Sequence, residues 1–303
     1  MSTGDDLTLI NTYLTYIAEN KRFSAHSVAA YRRDLLRARE FFTGADRDSV
    51  RWTDIAPDQV RMFVMRQHQQ GRNGRSIARA LSALRGFYRY LMRMNLAQRN
   101  PATGISAPKA PRRLPEVLDV DRAAQLVDVH DTDWLSVRDR AMLELLYSSG
   151  LRLAELVSLN VAVLNKYEGT VRVLGKGQKE RIVPVGQAAW VALDAWLAQR
   201  SLYVHDDESA LFVTRNGTRL RARAVQLRVA LWGRAQGMSV GVYPHMLRHS
   251  CASHVLESSG DLRAVQELLG HAHLTTTQIY THLDYQHLAN VYDQTHPRAK
   301  REK

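Results

Sequence analysis

Four short stretches of this chain combine reactive side chains with turn residues: SGLRLAEL around Arg152, GKGQKER around Lys176, PHMLRHSCASH with His245 and Arg248, and LGHAHLTTTQIYTH with His271 and Tyr280. A phosphodiester under attack gathers negative charge on its nonbridging oxygens. Two arginines and one or two imidazoles can hold that charge through short, charge-assisted hydrogen bonds. A tyrosine hydroxyl can serve as the nucleophile, and a lysine can protonate the departing 5′ oxygen. Such a site needs no metal, and no metal ion or other cofactor is expected. A covalent phosphotyrosine would keep the bond energy for rejoining, so these residue types suit strand cleavage and religation better than hydrolysis.

Each residue taken alone also has a plainer reading. Arg152, between Gly150 and an apolar helix, can simply pair with Glu155. Lys176, between two glycines on a hairpin tip, can merely solvate the turn, and the GKG spacing is not that of a P-loop. His245 and His249 stand four apart, which is metal-ligand spacing, but Met246 occupies the position of the HExxH glutamate. Cys251 reads as a small buried apolar residue, and Tyr280 alone could be the edge of an amphipathic core.

The elements that must position these residues are mostly helical. Leu7, Ile10, Tyr13, Leu14 and Ile17, then Val28, Tyr31, Leu35 and Phe42, fall at helical spacing, with Ser24 or Ser27 as a cap. A third helix should follow Pro57, and a fourth should span about Ser76 to Met94 with Ile77, Leu81, Leu84, Tyr88 and Leu91 inward. Four helices in about 100 residues make a small bundle. The second half mixes helices over 138–151, 154–159, 188–199, 222–235, 244–257 and 262–269 with two β-branched strands, 170–173 and 181–185, around Gly175-Lys176-Gly177. The expected architecture is mainly α in two domains: a helical bundle over 1–100, a linker over 101–115, and a mixed α+β domain with a small antiparallel sheet over 116–303.

The linker is marked by Pro101, Pro108, Pro111, Pro115 and Gly104. Charge divides there too. Of a net +12 for 303 residues, residues 1–113 hold 20 Lys+Arg against 9 Asp+Glu, and the remainder is near neutral. A domain so basic calls for a polyanion, because arginine rows release counterions from DNA. Arg75 and Arg79 on one edge of the fourth helix, Arg85 and Arg89 on another, and Arg112 and Arg113 in the linker are the expected DNA contacts. Composition excludes a disordered polycation, and no stretch approaches the roughly 18 apolar residues of a membrane span. One cysteine and an acidic rather than basic start suit a reducing cytoplasm.

These stretches resemble the tyrosine recombinase (phage integrase) family, and within it the bacterial Xer recombinases. The resemblance spans nearly the whole chain. The family pattern of Arg, Lys, His-x-x-Arg, His and Tyr falls on Arg152, Lys176, His245, Arg248, His271 and Tyr280, in that order. The tail from His282 to Arg301 is more similar to the XerC branch than to XerD. After Asn160 the chain departs from the pattern, since VAVLNKYEG lacks the acidic residues common there.

The resemblance implies a SAM-like core-binding domain and a catalytic domain that close around duplex DNA. It implies that Tyr280 forms a 3′-phosphotyrosyl bond while Arg152, Arg248 and His271 stabilise the transition state. Lys176 would be the general acid, and His245 would assist proton transfer or phosphate binding. It further implies a XerD-like partner, two of each in a heterotetramer, at a dif-like site, with an FtsK-type translocase controlling the resolution of chromosome dimers. By the same analogy, Leu283, Leu288, Val291 and Tyr292 are expected to form an amphipathic helix that docks on a neighbouring protomer. A phage or transposon integrase, a type IB topoisomerase and a non-catalytic DNA-binding protein are the alternatives. The few residues before Leu7 leave no room for an integrase's arm-binding module, and a non-catalytic protein leaves the six-residue pattern unexplained.

Overall fold

The computed structural model describes residues 6–43, 49–108, 116–175, 180–204, 208–239, 241–270, 291–292 and 294–299. The chain divides into two compact units, Met1–Arg113 and Leu114–Lys303, each with its own core.

The first unit holds α1 (Asp6–Glu19), α2 (Ala25–Thr43), α3 (Pro57–Gln69) and α4 (Gly74–Arg93). Local signals set their ends. The Ser24 hydroxyl accepts from the Ser27 amide at 3.2 Å ahead of α2, Pro57 opens α3, and the Asn73 side chain accepts from the Ser76 amide at 2.8 Å ahead of α4. Ile77, Leu81, Leu84, Tyr88 and Leu91 are buried, as their spacing predicts, against Ile10, Tyr13 and Leu14 of α1, Leu35 of α2 and Phe63 of α3. Within this core the Tyr88 hydroxyl donates to the Trp52 carbonyl at 2.9 Å. The carboxylate of buried Asp6 accepts from the Val50 amide at 2.8 Å and from Arg39 at 2.7 Å.

The second unit is built on α6 (Trp134–Ser148), which is buried nearly all round, charged residues Arg138, Asp139 and Glu144 included, and is covered by α5 (Val120–Val127), α7 (Leu153–Ser158), α8 (Gln187–Arg200), α9 (Ala222–Ala235) and α10 (Pro244–Ser259). Helix α11 (Leu262–Leu269) packs on α10. A three-stranded antiparallel sheet, β1 (Leu164–Asn165), β2 (Thr170–Leu174) and β3 (Glu180–Pro184), lies in chain order. Opposite Val171 stands Val183, and opposite Val173 stands Arg181. Because strand side chains alternate, Val171, Val173, Arg181 and Val183 share the buried face, while Arg172, Leu174, Glu180 and Ile182 face outward.

Three elements differ from the sequence expectation. Helix α5 was not anticipated, although the Asp119 side chain caps it by accepting from the Arg122 amide at 2.7 Å. Helix α6 starts at Trp134 rather than Arg138, because the Asp133 carboxylate accepts from the Leu135 amide at 3.0 Å and caps it earlier. Strand β1 falls in the stretch after Asn160 that departs from the family pattern; two residues are too few to show an alternation.

Part of the tail can be followed in this single chain. Val291 and Tyr292 pack on their own unit, while Leu283 and Leu288 lie outside the described residues. Tyr292 is fully buried, with its hydroxyl 2.8 Å from Ser148 Oγ, and its ring stacks on His296 at 4.8 Å. Gly186 makes this seat possible: a Cβ there would stand 2.3 Å from the Arg298 carbonyl oxygen, while its amide donates to Ser148 Oγ at 2.7 Å. Arg298 in turn pairs with buried Glu144.

Burial holds the His296 imidazole down to about 3, against a weaker opposing bond to the Tyr147 carbonyl at 3.3 Å. The imidazole is therefore neutral in the folded chain but takes up a proton on unfolding below its ordinary value near 6.5. The unfolded state binds more protons in that window, so stability is intact above about pH 6.5 and is lost as pH falls toward 3, at up to about 1.4 kcal/mol per pH unit. Urea unfolding at pH 7, 6 and 5 should show this slope, and His296→Gln should flatten it. An equal slope in the variant would locate the sensitivity elsewhere.

Candidate active site and DNA interface

The site is assembled where three helix ends of the second unit meet. Gly150 follows α6 in the left-handed region at φ 56°, and a Cβ there would press on Cys251 Sγ at 3.3 Å. The chain then turns so that Arg152 takes the N-cap position of α7 with extended backbone, leaving its side chain 38% exposed. Gly270 closes α11 in the left-handed region at φ 61°.

Arg248 comes from the first turns of α10, which Pro244 opens, and its side chain is only 4% exposed. It donates to the Gly150 carbonyl and to the Leu269 carbonyl. These are orphan carbonyls at the C-terminal ends of α6 and α11, where a cation also meets the negative end of each helix dipole. Arg152 Nη2 approaches the Gly270 carbonyl at 3.4 Å. Burial, followed by the charge of Arg152, lowers Arg248 to about 10, with Glu155 opposing; the group remains cationic at neutral pH.

Glu155 ties these arginines together. Its Oε1 accepts from Arg152 Nη1 at 2.8 Å and from Arg181 Nη1 at 2.7 Å. Its Oε2 accepts from the Arg152 amide at 2.8 Å and from Arg181 Nη2 at 2.9 Å, with Arg248 Nη1 at 3.9 Å. Burial alone would raise its carboxyl, but the bonds and charge of Arg181, and then of Arg152, pull it down to about 2. The simple Arg152–Glu155 pair of the sequence reading is therefore present, and it is part of a larger cluster. Three guanidiniums surround one carboxylate, which leaves positive charge for an anion whose own charge grows during reaction.

His245 sits one turn before His249 on α10, their ring centroids 4.6 Å apart. Partial burial, His249, Arg248 and Arg152 all lower its imidazole, which favours the neutral, proton-accepting form. Among the described residues no group of three or more His, Cys, Asp or Glu is placed to hold a metal ion. Cys251 is fully buried and its thiol is pushed up to about 12 by burial. Lys176, in the segment between β2 and β3, lies outside the described residues, as do His271 and Tyr280. Arg181 is the member of the cluster that motif reading did not single out, and Glu155 entered that reading only as the partner of Arg152. The signal for Arg181 is its parity with Val183 on one strand face.

In the first unit the arginines of α4 divide by use. Arg75 and Arg89 are exposed and pair with no described residue. Arg79 donates to Asp34 at 2.8 and 3.3 Å, a bond that raises its guanidinium further. Arg85 donates to the Ala102 carbonyl at 3.0 Å and to the Ile105 carbonyl, pinning the chain that leaves the bundle. Arg75 and Arg85 also line an open cavity of about 400 Å³ with Ser82 and Pro108. Arg112 and Arg113 lie outside the described residues.

Residues 116–287 match the Phage integrase family, and residues 10–95 match the phage integrase N-terminal SAM-like domain. The chain is 53% identical over 294 residues to tyrosine recombinase XerC of Pseudomonas syringae pv. tomato, spanning 96% of this chain and 97% of that one. It is also 53% identical over 293 residues to XerC of Pseudomonas aeruginosa, spanning 96% and 95%. Among solved structures, XerH site-specific recombinase bound to a palindromic difH substrate in a post-cleavage complex superimposes with a TM-score of 0.68 at 24% identity, over 94% of this chain and 84% of that one. A lambda integrase fragment, bound as a dimer to a COC′ core site, gives 0.67 at 17% identity over 90% and 98%. The fold of these two structures and the identity to the two relatives agree with the arginine cluster: the chain belongs to the phage integrase family, the tyrosine recombinases, and is a site-specific DNA recombinase.

Proposed function

We propose that Arg152 and Arg248 clasp the scissile phosphate while Tyr280 attacks it, forming a 3′-phosphotyrosyl bond and releasing a 5′ hydroxyl. Lys176 protonates that departing oxygen. His271 adds a hydrogen bond to the phosphorane, and His245, neutral near pH 7, relays a proton or binds phosphate. The released 5′ hydroxyl then attacks the phosphotyrosyl bond of the partner duplex and restores the tyrosine. The observation that carries this reading is the convergence of Arg152 and Arg248 on Glu155 and on the carbonyl ends of α6 and α11.

The target is a dif-like site in duplex DNA. The partner is a XerD-like recombinase, two copies of each chain forming the synaptic tetramer, with an FtsK-type translocase controlling exchange. The substrate is the chromosome dimer before division, which places the protein in the cytoplasm. The identity to XerC proteins across nearly the full chain supports this assignment, and the XerH complex with difH supports a dif-type target. No described helix is long and apolar enough to cross a membrane.

On a nicked dif-like suicide duplex with the partner present, the parent chain should accumulate a covalent protein–DNA adduct on denaturing gels, and Tyr280→Phe should give none. Arg248→Lys should slow adduct formation about 10²- to 10³-fold, because one buried oxyanion donor is lost. Persistence of the adduct in the Phe variant would remove Tyr280 as nucleophile, and supercoil relaxation without any specific site would favour a topoisomerase instead.

The division of α4 makes a second prediction. Arg75→Gln and Arg89→Gln should each weaken binding to any duplex and lower the slope of log affinity against log salt by about 1, measured by fluorescence anisotropy at several salt concentrations. Arg79→Gln should instead lower the melting temperature, because Asp34, only 2% exposed, would lose its fork-shaped partner. Equal salt slopes for all three variants would refute the division.

A further inference from the structure

We infer that Arg181 is a positioning residue of the recombination chemistry: by taking both oxygens of Glu155 from behind, it leaves the guanidiniums of Arg152 and Arg248 available to the scissile phosphate. The inference rests on the assignment of Arg152 and Arg248 to that phosphate.

The geometry of the carboxylate carries it. Arg181 reaches Oε1 at 2.7 Å and Oε2 at 2.9 Å through its two terminal nitrogens, an end-on fork. Arg152 gives Glu155 only one side-chain nitrogen, at 2.8 Å, and Arg248 stands off at 3.9 Å. A buried carboxylate demands about four donors. Here Arg181 supplies two, and the Arg152 amide at 2.8 Å and Arg152 Nη1 supply the rest. With Arg181 removed, the unfilled lone pairs would draw Arg152 into a two-bond pair and pull Arg248 inward. Both cations would then face the carboxylate rather than an incoming phosphate.

Charge leads to the same conclusion. One carboxylate and three guanidiniums leave two positive charges, the amount that matches the doubly charged phosphorane of the transition state. Without Arg181, the carboxylate would cancel half of what Arg152 and Arg248 bring.

Arg181 is also held so firmly that it can act as a fixed support. It pairs across the sheet with Val173 on the buried face, and its side chain is 7% exposed. A Cβ at Gly270 would fall 2.9 Å from its Cδ and 3.0 Å from its Nε, so the stem lies directly against the α11 cap, whose carbonyl Arg152 approaches. Its Nε has no hydrogen-bond partner among the described residues. An arginine in a valine-lined strand face is costly to bury unless a carboxylate meets it, and Glu155 does so through both oxygens. Its position is explained by the fork on Glu155.

The test compares cleavage of a nicked dif-like duplex carrying an ordinary scissile phosphate with one carrying a neutral methylphosphonate, under single-turnover conditions with the partner recombinase. Arg181→Lys keeps the charge but cannot span both oxygens, and Arg181→Met removes both. Cleavage of the phosphodiester should fall about 10-fold for Lys and about 100-fold for Met, while duplex affinity stays within about twofold. On the methylphosphonate, which develops one less negative charge, the same losses should shrink severalfold.

Equal losses on both substrates would mean a purely structural role and would overturn the inference, as would a Lys variant that cleaves the phosphodiester like the parent. The Lys variant keeps the question answerable if the Met variant fails to fold. Arg152→Lys serves as the reference. If it is undiminished, the assignment of the phosphate-binding arginines fails; if it is impaired while both Arg181 variants are normal, only the present inference fails.

Discussion

A single buried carboxylate organises the catalytic unit. Glu155 lies one turn into a six-residue helix, and through it α7, strand β3 and the first turns of α10 are brought to a common point. Three cations so close together repel, and burial in a medium of low dielectric strengthens that repulsion. The carboxylate relieves part of it. The carbonyl ends of α6 and α11 relieve more, since each presents partial negative charge and unfilled acceptors. What remains is a positive surplus held in fixed orientation before any substrate arrives. Its electrostatic cost is met in folding rather than at the moment of reaction, the usual basis of preorganised oxyanion binding.

The arginines of the N-terminal unit obey different rules, and the bulk charge overstates what they offer to DNA. Along α4, Arg79 is committed to Asp34, Arg85 to two backbone carbonyls, and Arg93 to the face and hydroxyl of Tyr16. Stepping by four residues places cations in rows, yet the same spacing brings three of the five α4 arginines against neighbouring elements that have acceptors or rings to satisfy. Net charge sets the long-range attraction of the domain for a polyanion. The number of phosphates it can neutralise depends on which guanidiniums remain unengaged, and Arg75 and Arg89 are the α4 members of that group.

The sequence reveals the helices largely because their caps and periodicity are local. Pro57, Asn73, Pro244 and Gly270 each act within one turn, so the four-helix bundle and the last helices could be drawn with nearly correct ends. The two residues of β1 are too few for periodicity to register. The candidate site was legible as a set of residue types in order, and of these Arg152 and Arg248 meet at Glu155, with His245 on the same helix as Arg248. What could not be read was the support beneath them. In Glu-Arg-Ile-Val-Pro the isoleucine looks like the inward residue, whereas register places Arg181 inward and leaves Ile182 43% exposed. The reason is a partner 26 residues away in sequence, and no local pattern encodes a contact of that kind.

The C-terminal end of α6 joins this electrostatic centre to the tail. Ser148 accepts from the Gly186 amide, meets the Tyr292 hydroxyl at 2.8 Å, and offers its own carbonyl to Cys251. One residue on, Ser149 donates to the Pro184 carbonyl at 2.8 Å, and the carbonyl of Gly150 receives Arg248. Three consecutive residues thus fasten the tail, the edge of the sheet and Arg248 to one helix terminus. Small side chains are needed at each step, because Gly150 already presses on Cys251 and Gly186 on the Arg298 backbone. A methyl group added at either glycine would have to displace a neighbour already packed against the helix end that orients Arg248. The precision of the site is therefore set as much by close packing at this terminus as by the charges that occupy it.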